Sequence, residues 1–247
     1  MYRALDPALI VATADTLRQR ITERFPDSGL SRVAGELLLV ARETSSRIEA
    51  LRRPRWGLRL VSGAIITAII AIALLTVSRL SLPGSFTALG DFVQILESAI
   101  NDVVFMGIAI AFLVTIEGRL RRHRALKALH ELRSLVHIVD MHQLTKDPDQ
   151  VTGSRANSTA SSPARILAPF ELGRYLDYCS ELLSVTSKVA ALYAQQLEDP
   201  VVLSAVNEVE TLTTGLSAKI WQKLVILGNQ TREQSAAPAS SGSTRPQ

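Results

Sequence analysis

WGLRLVSGAIITAIIAIALLTV, residues 56 to 77, is an apolar run whose only formal charge is Arg59. An α-helix needs roughly 20 such residues to cross the hydrocarbon core of a bilayer, so the run predicts a transmembrane helix over 56–78. Trp56 stands at its start, where indole rings favour the headgroup level. A second span is expected over 99–118, although its apolar centre, Val103 to Ile116, is shorter. Asn101, Asp102 and Glu117 are therefore placed at the two interfaces rather than along an ion pathway.

Basic residues orient this pair. Arg52, Arg53 and Arg55 precede the first span, and Arg119, Arg121, Arg122, Arg124 and Lys127 follow the second. The connecting loop, 79–98, carries Arg79 before the acids Asp91 and Glu97. Cytoplasmic flanks are the ones enriched in Lys and Arg, which predicts a plasma (inner) membrane protein with both termini in the cytoplasm. The same arginines are expected to meet anionic lipid headgroups, at roughly 1 kcal/mol each near the surface. No aromatic residues interleave with them, so nucleic acid is not an expected partner.

Within the loop, Ser81-Leu82-Pro83-Gly84-Ser85 reads as a turn, and Phe86, Leu89, Val93, Leu96 and Ile100 repeat at helical spacing. That pattern predicts an amphipathic helix lying on the membrane and running into the second span. Small residues also recur in both spans: Ala64, Ala68 and Ile72 with Gly63 and Thr67 alongside, then Gly107 and Ala111. Rows of this kind let backbones approach closely in lipid, so these faces are expected to touch each other or to meet between subunits.

Outside the spans the chain reads as helix. Over 1–55, Asp6-Pro7 is a helix start, with Ile10, Leu17 and Ile21 on one face until Phe25-Pro26-Asp27-Ser28-Gly29. Leu30, Val33, Leu37, Val40, Thr44, Ile48 and Leu51 then mark a second amphipathic helix, which Pro54 ends. Residues 119–148 are expected to continue the second span as a stalk with a seam at Leu129, Leu132, Val136 and Val139, stopping near Thr145-Lys146-Asp147-Pro148. Residues 149–165 read as a linker without apolar periodicity. From 166 to 230, Leu172, Leu176, Cys179, Leu183, Thr186, Ala190, Tyr193 and Leu197 alternate four and three apart, flanked by Tyr175, Leu182 and Val189. After Asp199-Pro200 the return helix offers Val202, Val206, Val209, Leu212, Leu216, Ile220, Leu224 and Leu227, so a coiled-coil-like antiparallel hairpin is predicted. Residues 231–247 read as a disordered tail.

Composition excludes more than it selects. Lys plus Arg exceed Asp plus Glu by only four, and seven acids face four bases within 166–230, so no electrostatic reader of nucleic acid is expected. Cys179 is the single cysteine, which rules out an intrachain disulfide, fits a reducing compartment and suits a small core position. His123, His130 and His137 lie seven residues apart, about 10 Å along a helix, too far for two rings to share one metal ion. His130-Glu131 opens like the HExxH zinc signature, but the next histidine comes at 137 instead of 134. His130, His137, Asp140 and His142 are read mainly as seam packing and hydrogen bonding, with pH sensing or docking as the sharper alternative, since imidazole titrates near neutral pH. The segment from Asp140 to Pro148 is dense in polar groups and reads either as a helix stop or as a docking point for the N-terminal helices or the hairpin. No phosphate loop, nucleophile elbow or carboxylate pair is present, and neither catalytic residue nor cofactor nor metal site is predicted.

The expected fold is therefore all-α: a two-span transmembrane hairpin with cytoplasmic N-terminal helices, a helical stalk and a C-terminal helical hairpin. The function expected from this layout is a non-enzymatic membrane scaffold or adaptor. It would self-associate or recruit a cytoplasmic protein through Leu176, Leu183, Tyr193, Leu197, Val209, Leu216 and Ile220. The alternative is an oligomeric two-span pore or membrane-permeabilising effector gated by the cytoplasmic helices.

Overall fold

A computed structural model describes residues 4–52, 56–79, 89–146, 148 and 167–236. Among them all regular structure is helical: α1 (Pro7–Arg24), α2 (Gly29–Arg52), α3 (Trp56–Arg79), α4 (Leu89–Leu144), α5 (Pro169–Gln196) and α6 (Pro200–Ala236). The tail expected from 231 begins as helix, since α6 runs on to Ala236; Pro54, the turn at 81–85, Phe86, the linker at 149–165 and the rest of the tail lie outside the described residues. The chain divides into two units, one of Met1–Ala50 with Ala125–Gln247, the other of Leu51–Arg124. α4 is a single helix of 56 residues that contributes to both, with no break at the boundaries expected near 98 and 118.

The first unit is a helical bundle built on α5. Pro169 takes the first helical position, and Glu171 Oε2 accepts a hydrogen bond from the Ala168 N–H at 3.0 Å, closing the amino end. The predicted seam from Leu172 to Tyr193 is buried, with Leu197 half-buried. A further stripe, Tyr178, Val185 and Leu192, is buried as well. With an apolar surface this wide, α5 needs neighbours on several sides. α6 returns along it after Asp199, whose Oδ1 accepts from the amides of Val201 (3.0 Å) and Val202 (3.2 Å). In α6 the four-three alternation places Thr213, not Leu212, in the buried seam; its hydroxyl is satisfied by the Glu210 carbonyl at 2.9 Å.

α1 and α2 cover the other side of α5. Asp6 Oδ1 caps α1 at the Ala8 amide (2.8 Å), and Ile10, Ala14, Leu17 and Ile21 are buried. α1 runs antiparallel to α5, shown by Leu5 and Gln195 exchanging hydrogen bonds at one end and Arg20 pairing with Glu181 at 2.9 Å further on. α2 reaches α5 where the Thr44 and Tyr193 hydroxyls meet at 3.3 Å inside the core. The part of α4 from Ala125 onward joins through Leu129, Leu132, Val136 and Val139, all buried, with Glu131 3.3 Å from Arg47 of α2 and Arg133 3.1 Å from Glu208 of α6.

The hairpin expected to hang from a linker is thus the centre of the bundle. A stripe of seven-residue period shows only that a helix has a buried face, and the N-terminal helices supply the surface that the hairpin alone would leave open.

In the second unit no described side chain is buried. The half-buried positions of α3 are Ser62, Ile66, Ile69 and Ala73, and those of α4 before Ala125 include Met106, Ile110 and Leu113. The small-residue rows lie elsewhere. Gly63, Ala64, Thr67, Ala68, Gly107 and Ala111 are exposed, and a Cβ placed on Gly63 or Gly107 would meet nothing within 4 Å. The expected contact between those two rows is therefore absent. One described stretch, Leu96–Leu144, is long and apolar enough to cross a membrane; the apolar part described in α3, Leu60–Leu75, is shorter.

Candidate functional site

The densest polar chemistry in the bundle gathers where α4 ends. Its last carbonyls lack helical partners, and Lys223 of α6 supplies them: Nζ donates to the Gln143 carbonyl at 2.9 Å and the Lys146 carbonyl at 3.3 Å. A cation here also complements the negative end of the helix dipole. On the opposite side the start of α2 closes in. Ser28 accepts the Ser31 amide at 3.1 Å, and His142 lies so near Gly29 that a Cβ there would sit 2.2 Å from the ring. Lys146 places its ammonium 5.4 Å from the centroid of Tyr175 on α5. α4 ends at Leu144, and Gln143, His142 and Lys146 at that end contact α6, α2 and α5 respectively.

A cavity of about 400 Å³ opens at this end of α4, lined by Arg24, Ser28, Gly29, His142, Thr145, Lys146 and Tyr175 among others. Its aromatic wall is continuous with a ring cluster. Phe25 packs edge-on to Tyr175 and Tyr178 at 5.4 and 6.3 Å, and Tyr178 lies between the guanidinium groups of Arg20 (5.4 Å) and Arg174 (4.9 Å). Burial works against ionisation of Tyr178, yet hydrogen bonds from Arg174 and Arg24 and the charges of Arg174 and Arg20 hold its phenol below the ordinary value. Tyr175 lacks such help, and burial pushes its phenol up. His142 is held below its usual imidazole value by burial and by the positive charges of Arg32 and Lys146. The shifts of Tyr178 and His142 both carry the mark of nearby positive charge, whereas that of Tyr175 comes from burial and Cys179.

The other predicted residues are distributed differently. Leu176, Leu183, Tyr193, Val209, Leu216 and Ile220 are buried and Leu197 half-buried, so the seam expected to recruit a partner is closed by the chain's own helices. His123, His130 and His137 are exposed on α4, and Asp140 accepts from Gln143 Nε2 at 2.6 Å. His142 alone of the four histidines enters a packed site. Among the described residues no three His, Cys, Asp or Glu side chains gather as a metal site would need. Cys179 is buried, and burial raises its thiol to about 12 against the opposing charges of Lys223 and Lys146. Arg53 and Arg55 lie outside the described residues, and Arg52 closes α2. Arg119 is exposed over the Phe112 ring at 5.8 Å, Arg121 pairs with Glu117, Arg122 is half-buried and Arg124 exposed.

Sequence reasoning missed Arg24, Gly29 and Lys146 as one site. They sit more than a hundred residues apart at the extremes, and the local hints were the turn after Phe25 and the polar density from Asp140 to Pro148, with nothing in the chain to join the two. Comparison of the chain with family models, with curated proteins and with solved structures returns no match.

Proposed function

We propose that this chain is a non-enzymatic integral membrane scaffold or adaptor. In this reading α3 and the 99–118 part of α4 form a two-span hairpin in the plasma membrane. Both termini are cytoplasmic, and the bundle is the part that meets a partner or a second copy. The observation that supports it is the distribution of apolar surface. Every buried apolar side chain described belongs to the bundle, whereas Leu60, Ile72, Leu74, Val103, Phe105 and Val114 in the other unit are all exposed. A patch of that size is unstable against water, and lipid is the solvent that accepts it. Among the described side chains, the half-buried stripe of α3 gives a pore reading Ser62 alone as a polar group to build on.

With the seam closed, the surface left for a partner is the outer face of the bundle. There Phe170 and Trp221 are 68% and 66% exposed, and an apolar groove of about 620 Å³ runs past Phe170, Gly173, Leu224 and Leu227.

Thiol labelling tests the arrangement. The native Cys179 is buried and stays silent, so single cysteines at Ser85 and Ser241 report alone. A membrane-impermeant reagent is expected to label Ser85→Cys in intact cells and Ser241→Cys only after permeabilisation, with crosslinks through Trp221→Cys reporting the assembly. Labelling of Ser241→Cys in intact cells, or release of the chain by alkaline washing, overturns the reading.

A further inference from the structure

Several cations of the bundle are matched by acids. Arg18, Arg20, Arg47, Arg133 and Arg174 each lie within 3.3 Å of a carboxylate oxygen. Arg24 and Lys146 do not pair with any carboxylate among the described residues. Each is held instead against an aromatic face, Arg24 over Phe170 at 5.7 Å and Lys146 over Tyr175 at 5.4 Å. A ring positions a cation without neutralising it. Both charges line the one cavity at the end of α4, together with the hydroxyl residues Ser28 and Thr145 and the imidazole of His142, and no acidic residue is among the lining. Three acids of the neighbouring helices are engaged elsewhere, Asp140 accepting from Gln143, Asp177 pairing with Arg174 and Glu181 with Arg20, while Asp27 sits in the turn between Pro26 and Ser28 without lining the cavity.

We propose that this cavity binds a phosphate-type oxyanion, with Arg24 and Lys146 as its charge partners and Ser28, Thr145 and His142 as hydrogen-bonding groups. Its volume, about 400 Å³, is within the range of small-ligand sites. The guanidinium supplies a planar fork and the ammonium a point charge, the pairing that phosphate oxygens favour. The anion joins α1, α4 and the edge of α5 by bridging charges that otherwise repel, so it stabilises the bundle by mass action. The chemistry is shared by free phosphate, soluble phosphomonoesters and the headgroup of an anionic lipid. None of this depends on the bundle recruiting a protein.

The test uses the full chain in a zwitterionic detergent. Orthophosphate is titrated against chloride at matched ionic strength, while the unfolding midpoint of the bundle and the 31P linewidth are followed. A saturable rise in the midpoint with phosphate but not chloride is expected. It should weaken at least tenfold in apparent affinity in Lys146→Gln, be retained in Lys146→Arg, and be unchanged in Lys127→Gln, which removes an exposed charge of α4 elsewhere. A parallel arm places the chain in nanodiscs with and without phosphatidic acid. Lys146-dependent binding to orthophosphate identifies a soluble ligand, and Lys146-dependent binding to phosphatidic acid alone identifies a headgroup; either supports the site. Binding in neither arm, or equal loss in Lys146→Gln and Lys127→Gln, overturns it.

Discussion

Gly29 has no side chain, and the space a Cβ would take is filled by His142. Replacing it with alanine gains helix propensity, but the 2.2 Å approach forces the imidazole or the turn to move, and overpacking of this kind costs about 1–3 kcal/mol. Gly29→Ala is therefore expected to lower the denaturant midpoint. His142→Ala in the same chain should recover most of that loss, giving a coupling energy that a double-mutant cycle measures. The histidine also sets a pH dependence. Its folded value is depressed by burial and by Arg32 and Lys146, so the unfolded chain binds the proton more readily. The stability it contributes is full above the ordinary value near 6.5 and is lost as pH falls through the depressed one. Between about pH 7 and about pH 5 the wild-type midpoint should fall more steeply than that of His142→Gln; equal slopes would remove His142 as the cause. Neither the Gly29 contact nor the charge around His142 was legible in the chain, because Gly29 and His142 meet only after two helices have turned back on each other. What was legible was the unusual density of Asp140 to Pro148.

At the scale of elements, α5 carries the argument. Its seam was readable from spacing alone, and Leu172, Leu176, Cys179, Leu183, Thr186, Ala190 and Tyr193 are buried where the alternation put them. Spacing did not say what covers the opposite stripe, Tyr178, Val185 and Leu192, which in the fold is shielded within a bundle that includes α1 and α2. Burying each such side chain stabilises by about 1.5–3 kcal/mol, so a fragment limited to 167–236 exposes an apolar face that water penalises. That fragment is expected to be helical by circular dichroism yet self-associated in sedimentation, without a cooperative monomeric transition. A monodisperse, cooperatively unfolding monomer would show that α1 and α2 are dispensable to the hairpin. The same reasoning moves any partner surface off the seam and onto Phe170, Trp221 and the groove beside them.

At the scale of the molecule, the two units differ in the apolar surface they expose, and one substitution tests whether lipid accounts for the difference. Ile108 is 62% exposed. Lysine there would be harmless in water but costs about 2.5–3.5 kcal/mol in the middle of a bilayer helix. Ile108→Lys is expected to raise the fraction released by alkaline extraction, whereas Leu203→Lys, on an exposed position of the bundle, should leave it unchanged; equal behaviour of the two would count against lipid around α4. What the sequence determined by itself is local: the helices of the described residues, the faces those helices hide, the caps at Asp6 and Asp199, and the apolar middle. Periodicity and composition carry that information because they act over one or two turns of chain. Only the tertiary structure decided which faces meet. It took the hairpin seam away from any partner, turned the small residues of α3 and α4 outward, and drew Arg24, His142 and Lys146 around one cavity. The pairing of faces depends on which of several similar apolar stripes fit together best, and that is a property of the whole folded chain.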